Sequence, residues 1–145
     1  MGIETMPTED REGISSVEPT GWVNNKYDSE IVEGGWVYNR CHLLGFQLTG
    51  ENDNPENLIT GTRYLNIEGM LPFENEVAEY VKDTCNHVMY AVSPVYWESD
   101  MVANGVLMKA FSVEDSGAGI NFDVYCYNVQ PGIKIDYKTG NNWLN

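Results

Sequence analysis

The sequence predicts an α+β fold, an antiparallel sheet carrying one main helix. Two observations predict it. Three runs rich in Val, Tyr and Phe, at His87–Trp97, Asn104–Ser112 and Asn121–Val129, are separated by short polar stretches, as in a meander of strands. One segment, by contrast, places apolar residues at helical spacing: Leu71, Phe73, Val77, Tyr80 and Val81. Strands gathered on one side of a helix favour an antiparallel sheet over alternating βα units.

The elements follow in order. Residues 1–30 are polar, rich in Pro, Gly and Ser, and read as an irregular lead-in anchored by Gly21-Trp22-Val23. Gly34-Gly35 breaks the chain before Trp36-Val37-Tyr38, which has strand character, and Cys41 to Leu48 continues extended or looped. Thr49–Glu56 is a polar loop. Pro72 suits the first turn of a helix and is awkward inside one. A helix at about Leu71–Asp83, with a separate helical turn near Thr62–Gly69, is therefore expected; one long kinked helix is the alternative. Gln130-Pro131-Gly132 reads as a turn, Ile133–Tyr137 as a further strand, and Trp143 as a pin for the end.

A length of 145 residues fits a single domain spanning 1–145, and 42% apolar content with 12% aromatics supports a folded core. No apolar run approaches the roughly 18 residues of a membrane span. No basic start leads into an apolar stretch, so no signal peptide is read. Cys41, Cys85 and Cys126 have no metal-binding spacing and read as free thiols, with a Cys85–Cys126 disulfide as the alternative. The net charge of −14 argues against a polyanion as partner. Local distribution weakens that objection: residues 39–50 hold Arg40 and no acid, and residues 57–67 hold Arg63 and no acid.

The chemistry concentrates between residues 39 and 74. Asn39-Arg40-Cys41-His42 is followed by Asn57-Leu58-Ile59-Thr60-Gly61-Thr62-Arg63, then Asn66 and Glu74. A histidine titrates near neutral pH and can take a proton from water, so His42 is the candidate general base. Asn66 offers a hard, neutral amide oxygen to a divalent cation, and Glu74 can orient that cation's waters. Mg²⁺ suits such a sparse donor set because it keeps most of its waters. Arg40 and Arg63 can grip phosphate oxygens in bidentate fashion. In an extended chain Arg40 and His42 share a face and Cys41 points away. Each residue also has a plain alternative: a core histidine, a turn asparagine, an acid favoured by the helix dipole, a structural ion pair for Arg63. His87, just past the helix, reads as structural.

Order and spacing resemble the DNA/RNA non-specific endonucleases with a ββα-metal (His-Me) finger, and among them the streptococcal-type secreted DNases and DNA-entry nucleases. Asn57 to Asn66 is nine residues and Asn66 to Glu74 is eight. Asn39 stands where many relatives have Asp, Cys41 where they have Gly or Ser, and Ala78 where some have a further arginine. The resemblance implies a ββα-metal finger within the sheet. It also implies catalytic roles for His42, Asn57, Glu74 and Arg40, metal binding by Asn66, and phosphate contacts from Arg40 and Arg63. Asn57 would support the histidine and metal region by hydrogen bonds. The implied cofactor is Mg²⁺, with Mn²⁺ or Ca²⁺ as substitutes. The implied partner is a nucleic-acid substrate, DNA and also RNA, with room for an inhibitor protein. Secretion or a cell-surface location is implied too, and the chain reads as lacking an N-terminal segment of the domain. The competing reading is a non-catalytic acidic module that mimics nucleic acid, or an inactive truncated nuclease domain.

Overall fold

The computed structural model describes residues 1–145. Strand β1 (Tyr38–His42) pairs antiparallel with β2 (Leu58–Thr62), Tyr38 opposite Thr62 and His42 opposite Leu58. Between them lies a short helix, α1 (Phe46–Thr49). A wide helical turn, Leu65–Met70, runs directly into α2 (Leu71–Thr84). Together β1, β2 and this helix form a ββα unit. Strands β3 (Val88–Val95), β4 (Gly105–Ser112) and β5 (Asn121–Tyr127) make an antiparallel meander. A small ribbon of β6 (Ile133–Ile135) and β7 (Asn142–Leu144) completes the chain.

The helix differs from the first expectation and takes the form of the alternative. The Leu71 N–H reaches back five residues to the Asn66 carbonyl, so the turn before Pro72 is widened. An ordinary α-turn there would drive the proline ring into the carbonyl of Glu68 and leave a bond unmade. The wide turn absorbs that conflict and keeps the helix continuous. At its start, Thr62 Oγ1 accepts the Leu65 N–H at 2.9 Å and Gln130 Oε1 accepts the Tyr64 N–H at 2.9 Å. The predicted strand at Trp36–Tyr38 is shifted: β1 begins at Tyr38, and Trp36 makes only an isolated bridge to Lys26. Phe46–Thr49, expected as extended or looped chain, is helical, closed by Gly50 at φ 68°.

Three apolar clusters hold these parts together. Cys41, Ile59, Leu65 and Met70 of the ββα unit pack on Val106, Met108 and Cys126 of the meander. Leu48, Val77 and Val81 pack on Val88, Ala110 and Ile120. Val32, Val37 and Tyr38 meet Ile133 of the ribbon. Each fully buried Leu, Val or Met contributes about 1.5–3 kcal/mol. One polar side chain stitches the first junction. Buried Asn128 accepts the Thr62 N–H at 2.9 Å and donates to the carbonyls of Thr60 (3.1 Å) and Ala103 (2.9 Å).

The lead-in is irregular, as its composition predicts, and its anchor is where Gly21-Trp22-Val23 places it. Trp22 stacks beside Tyr38 with ring centroids 6.2 Å apart. The Gly21 backbone lies so close to Gly140 that a Cβ on residue 140 would overlap the Gly21 carbonyl. In the C-terminal ribbon Trp143 is half exposed, and buried Asn142 does the pinning, accepting from Tyr27 Oη at 2.6 Å and donating to Val23 O at 2.8 Å. No helix is long and apolar enough to cross a membrane. All three cysteines are free, Cys41 and Cys126 buried and Cys85 exposed.

Candidate active site

His42 ends β1 with 7% of its surface exposed. Its Nε2 lies 2.8 Å from the backbone carbonyl of Asn52. A carbonyl only accepts, so the neutral ring carries its proton on Nε2 and leaves the Nδ1 lone pair available. Burial holds the His42 pKa below the ordinary histidine value, with Arg11 adding to the depression and the Asn52 bond opposing it. The ring is therefore neutral, and able to accept a proton, at pH 7.

The backbone after His42 is fixed by Asn57. The Leu43 N–H donates to the Asn57 carbonyl at 2.9 Å. The Asn57 amide then takes the Leu44 N–H and donates to the Leu44 carbonyl, both at 2.9 Å. With both ends of its amide used on Leu44, Asn57 lies outside the lining of the His42 cavity. It is a positioning residue for the chain that leaves the histidine.

The cavity beside His42 has a volume of about 320 Å³. Arg11, Arg40, Gly45, Asn66 and Glu74 line it together with His42. Asn66 projects from the widened helical turn. Its Nδ2 donates to Asn39 Oδ1 at 3.4 Å, and the Cys41 thiol lies 3.6 Å from its Oδ1. Cys41 points into the core, away from the His42 face, as strand alternation requires. Glu74, one helical turn into α2, is 6% exposed, and burial pushes its pKa up to about 7, with Arg11 pulling the other way. Helix-dipole attraction does not explain this acid, because the helix continues N-terminally past it and offers no free N–H groups. Gly45 faces the carboxylate, and a Cβ there would stand 3.3 Å from Glu74 Oε2. The absent side chain keeps the carboxylate's side of the cavity open.

The arginines divide. Arg40 borders the cavity, but its guanidinium donates to the Val17 carbonyl and, at 3.1 Å, to the Ser15 carbonyl, and lies 4.4 Å over the Trp22 ring. It ties the lead-in down across the mouth of the site. Arg63 lines an adjoining hollow instead of this cavity and meets Glu33, an acid in a loop, at 3.7 Å. The structure adds Arg11, which sequence reading passed over. It sits among Glu9, Asp10 and Glu12, a setting that masks its placement, and the one available signal was that it is the sole base before Lys26. Asn52 was equally hidden, since it acts through a backbone carbonyl that every residue possesses.

A family model of DNA/RNA non-specific endonucleases matches residues 3–113. The chain belongs to that family. A deoxyribonuclease of Streptococcus dysgalactiae subsp. equisimilis is 32% identical to this endonuclease-family chain over 120 residues. That match covers 79% of the chain but only 34% of the relative, so the chain spans about a third of that protein's length. Among solved structures, NucA from Streptococcus agalactiae with a magnesium ion bound superposes with a TM-score of 0.86 at 24% identity, covering 99% of this chain and 71% of that one. The Sda1 nuclease with a bound zinc ion gives 0.73 at 33% identity, covering 84% of this chain and 50% of that one. The α+β endonuclease fold, with antiparallel sheets and one main helix, is thus shared with nucleases of known structure.

Proposed function

We propose that this chain is a divalent-metal-dependent, sugar-non-specific endonuclease, hydrolysing phosphodiester bonds of DNA and RNA. One observation carries the reading: His42, Asn66 and Glu74 border a single cavity, and His42 is held with Nδ1 free. In this reading His42 Nδ1 takes the proton of a water as that water attacks phosphorus. The P–O bond to the 3′ oxygen breaks; that oxygen leaves with the bonding pair and takes a proton from solvent, and phosphorus remains as a 5′-phosphate. The Asn52 carbonyl holds the imidazole, Asn57 fixes the backbone that follows it, and Arg11 and Arg40 supply positive charge to the cavity.

The donor set fits a hard cation. No group of three His, Cys, Asp or Glu side chains comes together to form a closed metal cage. One amide oxygen on Asn66, with the Glu74 carboxylate in the same lining, suits a metal that keeps its waters: Mg²⁺, with Mn²⁺ or Ca²⁺ as substitutes. When bound, such a cation supplies positive charge to the phosphate and the leaving oxygen. Burial disfavours the charged form of Glu74, and a neighbouring cation would favour it. The reading also takes 1–145 as one nuclease domain acting outside the cell, secreted or at the cell surface.

The decisive experiment is nicking of supercoiled plasmid, and cleavage of a single-stranded RNA, by the purified chain with Mg²⁺ and with excess chelator. Cutting that needs the metal and disappears in a folded His42→Ala variant is expected. Undiminished cutting by that variant would remove His42 as the base. Failure of the parent chain to cut any substrate would overturn the activity.

A further inference from the structure

The Arg63 hollow adjoins the His42 cavity and shares Arg11, Arg40, Asn66 and Ile67 with it. Its volume is about 720 Å³. Its lining is chemically unusual for this chain. Of 8 basic residues in the sequence, three (Arg11, Arg40 and Arg63) line this hollow, and none of the 22 acids does. A fourth base, Lys26, stands 5.8 Å over the ring of Trp36. Trp22, Trp36 and Tyr38 supply aromatic surface. Trp36 is 48% exposed. The Gly34-Gly35 turn, with both residues at positive φ, delivers it to the rim. Arg63 Nε is buried without a hydrogen-bond partner, and the one carboxylate that Arg63 meets, Glu33, is 73% exposed and 3.7 Å away. Such a solvated pair contributes little and yields readily to a phosphate.

Guanidinium groups beside an exposed indole, in a hollow without acids, are the chemistry of a nucleotide site: phosphate on the arginines, base on the ring. We propose that this hollow is a nucleotide subsite, in which Trp36 stacks the base, and Arg63 holds the phosphate, of the residue next to the scissile phosphate. The inference rests on the endonuclease reading, since the hollow opens beside the His42 cavity and shares Asn66 with it. Its consequences are specific. A base can lie on Trp36 only when unstacked from a duplex, so the subsite favours single strands and frayed or nicked ends. Every base has a π-face, so the preference is for strandedness and not for sequence.

The test measures binding apart from cleavage. A short fluorescein-labelled single-stranded oligonucleotide is titrated with the chain in chelator, and anisotropy reports affinity. A series of probes carries one abasic site at successive positions. The parent chain should lose affinity by roughly 5- to 150-fold at one position of the series, the range for one stacked base. Trp36→Ala should bind the intact probe weaker by a similar factor and be indifferent to that abasic position. Trp36→Tyr, which keeps a ring, should recover most of the loss. A flat abasic series with the parent chain overturns the proposal without reliance on any variant, as does full affinity in Trp36→Ala. A chain that shows the abasic signature yet never nicks plasmid keeps the subsite and loses the endonuclease reading. A chain that nicks plasmid with a flat series does the reverse.

Discussion

Two hollows share the lead-in as a wall and carry opposite charge. The one enclosed by residues 1–12 and Phe46–Asn52 has a volume of about 640 Å³ and is lined by Glu4, Glu9, Asp10, Glu12 and Glu51, with no base. The Arg63 hollow has three arginines and no acid, and the His42 cavity has two arginines and one acid. The division is finest at Asp10-Arg11-Glu12: Arg11 faces the chemistry, while its two neighbours face the acidic hollow. Neighbouring side chains of an extended segment point opposite ways, so three consecutive residues can serve two surfaces. The net charge of −14 is therefore a poor guide to the field at either hollow. A polyanion would meet the local field, unfavourable on one side of the lead-in and favourable on the other, as the proposed reading requires. Asn52 joins the two sides, since it lines the acidic hollow and its carbonyl holds His42.

The sharpest way to break this contrast is at the base. His42→Ala should lower kcat by about 10²- to 10⁴-fold, the usual worth of a positioned acid–base group. In the parent chain the acid limb of kcat/KM should have its midpoint below the ordinary histidine value, because burial depresses the His42 pKa and the neutral ring is the active form. Glu74, raised to about 7, titrates in the same cavity, so a midpoint above pH 6.5 that persists in Glu74→Gln would contradict the buried setting of His42. Next in size is the lead-in swap. Arg11→Glu places a carboxylate in the His42 cavity and should raise KM by roughly tenfold or more, with loss of kcat as well. Glu12→Lys, one residue along but in the acidic hollow, should change KM by less than about threefold at moderate salt. Equal effects of the two substitutions would show that only net charge matters. Smaller again is the salt response. Arg63→Gln should reduce the slope of log Kd for single strands against log salt by about one.

The sequence carried the meander and the ββα order, and it singled out His42, Asn66 and Glu74, which the fold brings to one cavity, because these depend on residue type and spacing. What it did not carry depends on backbone and on distance. Asn57 reads as a hydrogen-bonding support for the histidine region, but only the folded loop reveals that its amide works through the Leu44 backbone. Arg40 has the guanidinium that phosphate binding needs, but the lead-in carbonyls of Ser15 and Val17 take two of its donors. Asn128 is silent in sequence, lying at the end of a strand-like run, and proves to be the buried connection between β2 and the meander. Leu65–Met70 could not be read as a widened turn because nothing local distinguishes it from an α-turn until Pro72 is met. Arg11 was obscured by composition: a single base within an acidic run carries no signal about which side of the chain it faces.

The smallest expected effect concerns the wall of the acidic hollow. His87 is gripped by two carboxylates, Glu114 at 2.6 Å from Nδ1 and Glu4 at 2.7 Å from Nε2. Glu4 belongs to that wall, so the histidine ties it to the loop after β4. The hydrogen bonds to Glu114 and Glu4 raise the His87 pKa, and bonds from the backbone and from His87 lower those of Glu4 and Glu114. The signs define a window. The histidine's contribution is complete below its ordinary value of 6.5 and fades as pH rises through its raised folded value. The carboxylates' contribution is complete above their ordinary value of 4.5 and fades as pH falls through their lowered ones. The tether is thus fullest between about pH 4.5 and 6.5. All three groups lie at the surface, so the effect on Tm should be small and should shrink with added salt. The amide hydrogens of residues 3–6 should exchange faster above this window in the parent chain, and at every pH in His87→Gln. Unchanged exchange in His87→Gln would mean that the Met1 amino group on the Val88 carbonyl, 2.9 Å away, secures this wall by itself.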